Sequence, residues 1–158
     1  MGTHTNAQRE IQLLAEWLAT LSTVWTWKTH VRVGAVPLVY QGKPLSPAQI
    51  RAFSVWNDWM DARVVTTHEV WCVEAKIVGV ATAYGQALDY ANQYPASQDA
   101  QWYRGKPVVP VVLCAFAKPL TRAFFSRYGV RTIVYTPSWA GSTLVNKVFP
   151  SEQAGTPL

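Results

Sequence analysis

The residues from Asp61 to Lys76 constrain the fold more than any other stretch of the chain. Two short apolar runs flank the polar residues 67–69, and this pattern predicts two antiparallel strands joined by a tight turn. Side chains of a strand alternate between its two faces. This alternation places Val70, Cys72, Glu74 and Lys76 on one face of the second strand, and Trp71, Val73 and Ala75 on the other. Charged side chains therefore end a strand that is otherwise apolar.

A second acidic residue is expected beside this charged strand end. Asp61 is predicted to open the first strand, and twelve residues separate it from Glu74, so the hairpin can bring the two carboxylates close to the ammonium group of Lys76. Hard divalent cations prefer such carboxylate oxygens. A surface ion pair between Glu74 and Lys76 would contribute only about 0–1 kcal/mol and would not explain charge in a buried strand. Asp58 competes with Asp61, but it is predicted on the last turn of the preceding helix.

These residues resemble the active-site motif of the PD-(D/E)XK nuclease superfamily, an Asp followed by Glu-x-Lys at the end of a second apolar strand. The proline that usually precedes the Asp is replaced by Met60. Gln86 and Tyr90 form a Q-x-x-x-Y pattern that is similar to an additional motif of RecB-type and lambda-exonuclease-type members. The resemblance covers residues 5 to 137. It implies an α/β fold with a restriction-endonuclease-like αβββαβ core, in which helices flank a mixed central sheet.

The resemblance also implies the chemistry of the site. The chain would be a metal-dependent DNA nuclease that hydrolyses phosphodiester bonds with Mg²⁺ or Mn²⁺. Asp61 and Glu74 would hold the metal together with the backbone carbonyl of Ala75. Lys76 would position or help to deprotonate the attacking water, and the nearby metal is expected to lower its pKa.

Three further residues receive roles from the same resemblance. Gln86 and Tyr90 would orient the active-site lysine or hold a phosphate of the strand being cut. The first helix of the superfamily usually carries a Glu that helps to bind metal, for which Glu10 is the candidate here. A first-turn acid favoured by the helix dipole explains Glu10 equally well.

The sequence leaves alternatives open for both the DNA substrate and the function. The spacing of the two acids resembles archaeal-type Holliday-junction resolvases, which act as dimers, so a homodimer is one expectation. The Q-x-x-x-Y pattern instead resembles end-processing recombination nucleases. A non-catalytic nucleic-acid-binding or assembly module that kept the fold is the alternative function. An unrelated small-molecule hydrolase would lack a recognisable nucleotide-binding or nucleophile motif.

Composition favours one folded, basic domain. With 158 residues, 49% of them hydrophobic and 15% charged, the chain is long enough for a core. We expect a single domain over residues 1–150 and a frayed tail at 151–158. A net charge of +5 suits a DNA partner. Cys72 and Cys114 are expected to be buried free thiols. Without an apparent signal peptide or membrane span, the chain is expected in the cytoplasm, with no membrane partner.

Periodicity gives the order of the elements and two helix faces. Helices are predicted at about residues 7–22, 47–58, 82–93 and 119–128, and strands at about 24–33, 61–65, 70–79, 108–116 and 130–135, with a last edge strand at 143–149. The first helix, capped by Thr5 or Asn6, is expected to pack through Ile11, Leu14, Leu18 and Leu21, and the last helix through Leu120, Ala123, Phe124 and Tyr128. In the loop before residue 107, Trp102, Tyr103 and Arg104 suit either a nucleic-acid contact or an apolar anchor.

Overall fold

A five-stranded mixed sheet with helices on its faces organises the chain. The computed structural model describes residues 5–35, 44, 46–49 and 58–141. The strands are β1 (Thr26–Val33), β2 (Asp58–Val65), β3 (Val70–Gly79), β4 (Val108–Ala117) and β5 (Arg131–Val134), and the helices are α1 (Asn6–Leu18), α2 (Ala81–Gln93) and α3 (Pro119–Ser126). Two short 3₁₀ helices, Tyr94–Ala96 and Asp99–Tyr103, follow α2. The prediction of an α/β fold with a mixed sheet flanked by helices is confirmed.

The sheet changes character at its central strand. Its strands lie in the order β1-β2-β3-β4-β5. The β1–β2 and β2–β3 pairs are antiparallel, whereas the β3–β4 and β4–β5 pairs are parallel. The parallel pairs are joined through α2 and α3, as expected for crossover connections. Strand β3 therefore has an antiparallel neighbour on one side and a parallel neighbour on the other.

Helices cover both faces of β3, and its alternation divides the core as predicted. On one face, Trp71, Val73 and Ala75 pack in one apolar cluster with Leu13 and other residues of α1. On the other face, Val70 and Cys72 pack in a second cluster with residues of α2 and of the segment that follows it. Cys72 and Cys114 are buried free thiols, as expected. The tight turn at residues 66–69 is also observed, and His68 is exposed there.

Helix α1 begins where the sequence indicates but turns a different side toward the sheet. Its buried residues are Leu13, Leu14, Trp17 and Leu18. Ile11, predicted to face the core, is 68% exposed. The cause is that α1 turns the row containing Leu13 and Trp17 toward the sheet. The ring of Trp17 stacks on that of Trp71, with ring centroids 6.5 Å apart. The helix also ends at Leu18 rather than near residue 22, since the N–H groups of Thr20 and Leu21 bond three residues back and close the last turn.

Two other predictions about the elements are wrong. Leu120, Ala123, Phe124 and Tyr128 of α3 and the turn after it do not form its inner face, because all four are exposed. Phe125 packs inward instead and stacks on Tyr84 of α2, with ring centroids 4.9 Å apart. Asp58 does not lie on a helical turn, because it opens β2, so Asp61 lies within that strand rather than at its start. Residues 50–57 of the predicted second helix, the edge strand at 143–149 and the tail at 151–158 lie outside the described residues.

The start of α1 gives a direct test of the helix boundary. The hydroxyl of Thr5 accepts a hydrogen bond from the backbone N–H of Gln8, and the side chain of Gln8 accepts one from the N–H of Thr5. Because this capping box satisfies otherwise unpaired donors, Thr5→Ala should lower the free energy of unfolding by about 1 kcal/mol. Thr5→Ser keeps the oxygen and should leave stability close to that of the wild type. Urea denaturation measures both, and equal stability of Thr5→Ala and the wild type would contradict this role.

Candidate active site at the β2–β3 pair

The two predicted acids occupy neighbouring positions on β2 and β3. The antiparallel register ends at the Ala62–Val73 pair, and Asp61 and Glu74 are the next residues along the two strands beyond it, close enough for the charge of Asp61 to raise the pKa of Glu74. Asp61 Oδ2 accepts a hydrogen bond of 2.8 Å from the backbone N–H of Ala75. The hydrogen bond fixes the Asp61 carboxylate against the strand that carries Glu74.

The backbone around Asp61 departs from a regular ladder. Asp61 appears in neither the β1–β2 nor the β2–β3 pairing, and its position opposite in β1 is His30. His30 has a φ of 54°, which is an uncommon value for a residue other than glycine. Met60 and Ala62, which a regular strand would turn to one face, belong to apolar clusters on opposite faces of β3. The regular alternation of β2 side chains between the two faces of the sheet is therefore interrupted at Asp61, the residue whose carboxylate reaches β3.

Glu74 is a buried carboxylate, since the residue is only 3% exposed. Its Oε1 lies 3.4 Å from the Nζ of Lys76. Burial and the nearby charge of Asp61 raise the pKa of Glu74 to about 7, although Lys76 acts in the opposite direction. Two acids side by side in a low-dielectric setting repel each other, and a cation between them would relieve the repulsion.

Lys76 is shared between two elements of the fold. Besides its contact with Glu74, its Nζ lies 3.5 Å from Glu10 Oε2 on α1. Burial lowers the pKa of Lys76, but the charges of Glu10, Glu74 and Asp61 raise it more strongly, so the pKa lies above its usual value. This direction is opposite to the one expected beside a metal, because a bound divalent cation would favour the neutral amine.

Helix α2 brings one of its two predicted residues to this region. Tyr90 is 7% exposed, and its pKa is raised by burial and then by the charges of Glu74 and Asp61. Its hydroxyl is therefore neutral and can donate a hydrogen bond at neutral pH. Gln86 lies one turn earlier and is exposed. Its side chain makes no hydrogen bond with any residue in the described part of the chain.

The oxygen atoms available here fit a cation that keeps part of its water shell. Within residues 5–35, 46–49 and 58–141, no group of three or more His, Cys, Asp or Glu side chains is placed to hold a metal ion. The predicted ligands are two carboxylates, Asp61 and Glu74, and the carbonyl of Ala75, while Glu10 contacts Lys76 instead. Mg²⁺ is commonly bound through one or two carboxylates and retained waters. The donor set thus suits Mg²⁺ or Mn²⁺.

A buried charged network that was not predicted from the sequence lies two residues beyond Asp61, at Arg63. Arg63 Nη1 lies 3.4 Å from Asp99 Oδ2 and donates a hydrogen bond of 2.6 Å to the hydroxyl of Tyr103. Its guanidinium also lies 4.7 Å from the centroid of the Tyr103 ring. Tyr103 is thus an anchor of its loop, whereas Trp102 is 76% exposed. The sequence feature that could have indicated this network is the presence of Arg63 within a run of apolar strand residues.

Comparisons with known proteins leave the family open. No family model and no curated protein matches the chain. One solved structure, the crystal structure of a protein of unknown function designated AF1548, is similar with a TM-score of 0.47 and 10% identity. The match covers 87% of this chain and 63% of that one. Within the part of the chain that the structure describes, no helix is long and apolar enough to cross a membrane.

Proposed function

We propose that this protein is a metal-dependent nuclease of the PD-(D/E)XK type that hydrolyses phosphodiester bonds in DNA. One observation carries the proposal: the carboxylate of Asp61, held at 2.8 Å by the N–H of Ala75, lies near the buried Glu74 on the neighbouring strand, with Lys76 3.4 Å from Glu74. An apolar sheet does not need two acids and an ammonium at this position, and burying the Glu74 carboxylate, which is 3% exposed, is unfavourable without a compensating role. Charges clustered around a buried acid in this way are typical of functional sites.

Each residue would have a separate task in hydrolysis. Asp61, Glu74 and the Ala75 carbonyl would hold Mg²⁺ or Mn²⁺, which supplies Lewis-acid stabilisation of the charge on the phosphate. Lys76 donates hydrogen bonds and can orient the attacking water toward the phosphorus. The neutral hydroxyl of Tyr90 can donate to a phosphate oxygen or to a carboxylate. Glu10 keeps the ammonium of Lys76 in place from the opposite side.

Incubation with three DNA forms tests the proposal. Linear duplex, single-stranded and four-way-junction DNA are each incubated with the protein in Mg²⁺, in Mn²⁺ and in EDTA. Cutting that requires a divalent ion is the expected result, and the preferred DNA form separates a junction resolvase from an end-processing nuclease. DNA binding with no cutting in any condition would instead support the non-catalytic binding module. Light scattering on the same sample tests the expected homodimer.

Lys76 should affect the reaction more than the binding of DNA. Lys76→Met keeps a chain of similar length but removes the ammonium, so cutting at saturating DNA should fall on the order of 100-fold. The matched control is Lys28→Met, which makes the same change at an exposed residue of β1 and should leave the rate at saturating DNA unchanged. Full activity of Lys76→Met would rule out a role for this lysine in the chemical step.

A further inference from the structure

The carboxyl-terminal part of the described chain has an unusual charge distribution. Residues 100–141 contain six basic residues and no acidic residue: Arg104, Lys106, Lys118, Arg122, Arg127 and Arg131. Two of the six have evident structural partners. Arg131 pairs with Glu69 at 2.9 Å, and Lys106 donates hydrogen bonds to the carbonyls of Thr66 and Thr67. A surface rich in unpaired positive charge attracts polyanions.

Arg122 lines a groove beside α3. The groove has a volume of about 300 Å³ and is lined by Ala117, Pro119, Arg122, Ala123 and Ser126. The Ser126 hydroxyl is occupied, since it donates to the carbonyl of Ala123 at 2.8 Å. Within the described ranges, the guanidinium of Arg122 makes no hydrogen bond and no ion pair. The groove therefore combines small walls with one cation whose donors are free for a ligand.

One wall of the groove lies at the carboxyl ends of β3 and β4, beyond the level of Lys76. In the parallel register of β3 and β4, Lys76 pairs with Cys114 and Gly79 pairs with Ala117. Ala117, at the groove wall, is thus three residues beyond the level of Lys76, or about 10 Å along the strands. Arg122 is also electrostatically close to Cys114: burial raises the pKa of this thiol to about 11, and a hydrogen bond with the Gly79 backbone and, to a smaller extent, the Arg122 charge partly offset the rise.

We propose that this groove is a phosphate-binding subsite for the nucleic-acid strand that occupies the active site, with Arg122 as its cationic contact. The inference rests on the proposed nuclease function. A guanidinium presents paired donors that match phosphate oxygens, and the small side chains of Ala117 and Ala123 leave room for a backbone to approach. The strand would run from the β2–β3 acids across the carboxyl ends of β3 and β4 to α3.

Charge favours nucleic acid over a second copy of this chain as the occupant. The other flank of α3 does expose Leu120 and Phe124, which would suit a protein partner. Two copies meeting through α3, however, would bring Lys118, Arg122 and Arg127 of each copy together without any acid on this helix. A polyanion experiences no such repulsion, and its binding weakens with salt in proportion to the phosphates contacted.

Fluorescence anisotropy with labelled DNA, in EDTA and over a range of salt concentrations, tests the subsite. Arg122→Ala should weaken binding about three- to tenfold and reduce the slope of log K against log salt by about 0.7–0.9. Arg122→Lys should recover most of this slope. The matched control is Lys28→Ala, which removes the same charge from an exposed residue of β1 and should change neither quantity appreciably.

A second pair of variants distinguishes repulsion between DNA and an acid placed in the groove from the effect of the same change in the protein's net charge. Ala123→Glu places an acid in the groove and should weaken DNA binding at least as much as Arg122→Ala. Thr26→Glu adds the same charge at an exposed position at the start of β1 and should have little effect. Wild-type affinity of Arg122→Ala, an equal loss in Lys28→Ala, or an effect of Ala123→Glu on oligomeric state alone would each overturn the subsite. A wild-type protein that cuts DNA while these variants bind normally would refute only the groove, whereas one that neither binds nor cuts would refute the nuclease function itself.

Discussion

Asp61→Asn is expected to reduce metal-dependent DNA cutting on the order of 1000-fold without destabilising the fold. Asparagine keeps a side-chain oxygen that can accept the hydrogen bond now donated by the Ala75 N–H, so the local geometry should persist. It lacks the negative charge that would hold a divalent cation together with Glu74. Single-turnover cutting in Mg²⁺ and in Mn²⁺, with thermal unfolding measured in parallel, checks both halves of this expectation.

Asp58 and Asp89 provide controls with the same chemical change. Asp58 competes with Asp61 in the sequence motif, but it is exposed and accepts a hydrogen bond of 3.3 Å from Gln93. Asp89 is an exposed acid of α2 that bonds the same Gln93 side chain. Neither Asp58→Asn nor Asp89→Asn should change the rate by more than about twofold. If Asp58→Asn abolished cutting and Asp61→Asn did not, the ligand assignment would be wrong.

Glu74→Gln is expected to stabilise the metal-free protein at neutral and alkaline pH. The folded-state pKa of Glu74 is raised from 4.5 to about 7 by burial and by Asp61, so folding opposes ionisation of this acid. The sign follows from linkage: between pH 4.5 and about 7 the folded state binds more protons than the unfolded state, and stability falls as pH rises. Above pH 7 the variant should gain on the order of 2–3 kcal/mol.

Urea denaturation in EDTA at several pH values measures this gain. The advantage of Glu74→Gln should be small below pH 4.5 and should grow through pH 7. Glu16→Gln is the matched control with the opposite sign, since hydrogen bonds from Ser138 hold the pKa of Glu16 below its usual value and their loss should not stabilise the protein. A Glu74→Gln variant that is less stable than the wild type at pH 8 would show that the ionised pair contributes to folding.

The local pattern was sufficient to predict the hairpin. Alternation along β3 predicted which of its residues share a face, and the polar residues 67–69 located the turn. Each of these depends on contacts between residues that are near in sequence. The same holds for α2, which was predicted at residues 82–93 and is observed at Ala81–Gln93.

Properties that depend on distant partners could not be predicted in this way. Whether α1 buries Ile11 or Leu13 is decided by Trp71, more than 50 residues later, because both rows of the helix are apolar. Helix α3 has aromatic residues on more than one side. Phe125 packs inward because it stacks on Tyr84 of α2, which is distant in the sequence. The break in alternation that separates Met60 from Ala62 leaves no sequence signal, since both residues are apolar.

The position of β3 at the change from antiparallel to parallel pairing has a consequence for folding. The two acids meet once β2 and β3 close the short turn at residues 66–69, whereas the groove beside α3 requires β4 to dock after the much longer connection at residues 80–107. Local loops close with a smaller entropic cost than long ones. We therefore expect the carboxylates to come together early on the folding pathway, and the surface that would follow the bound strand to take shape only afterwards.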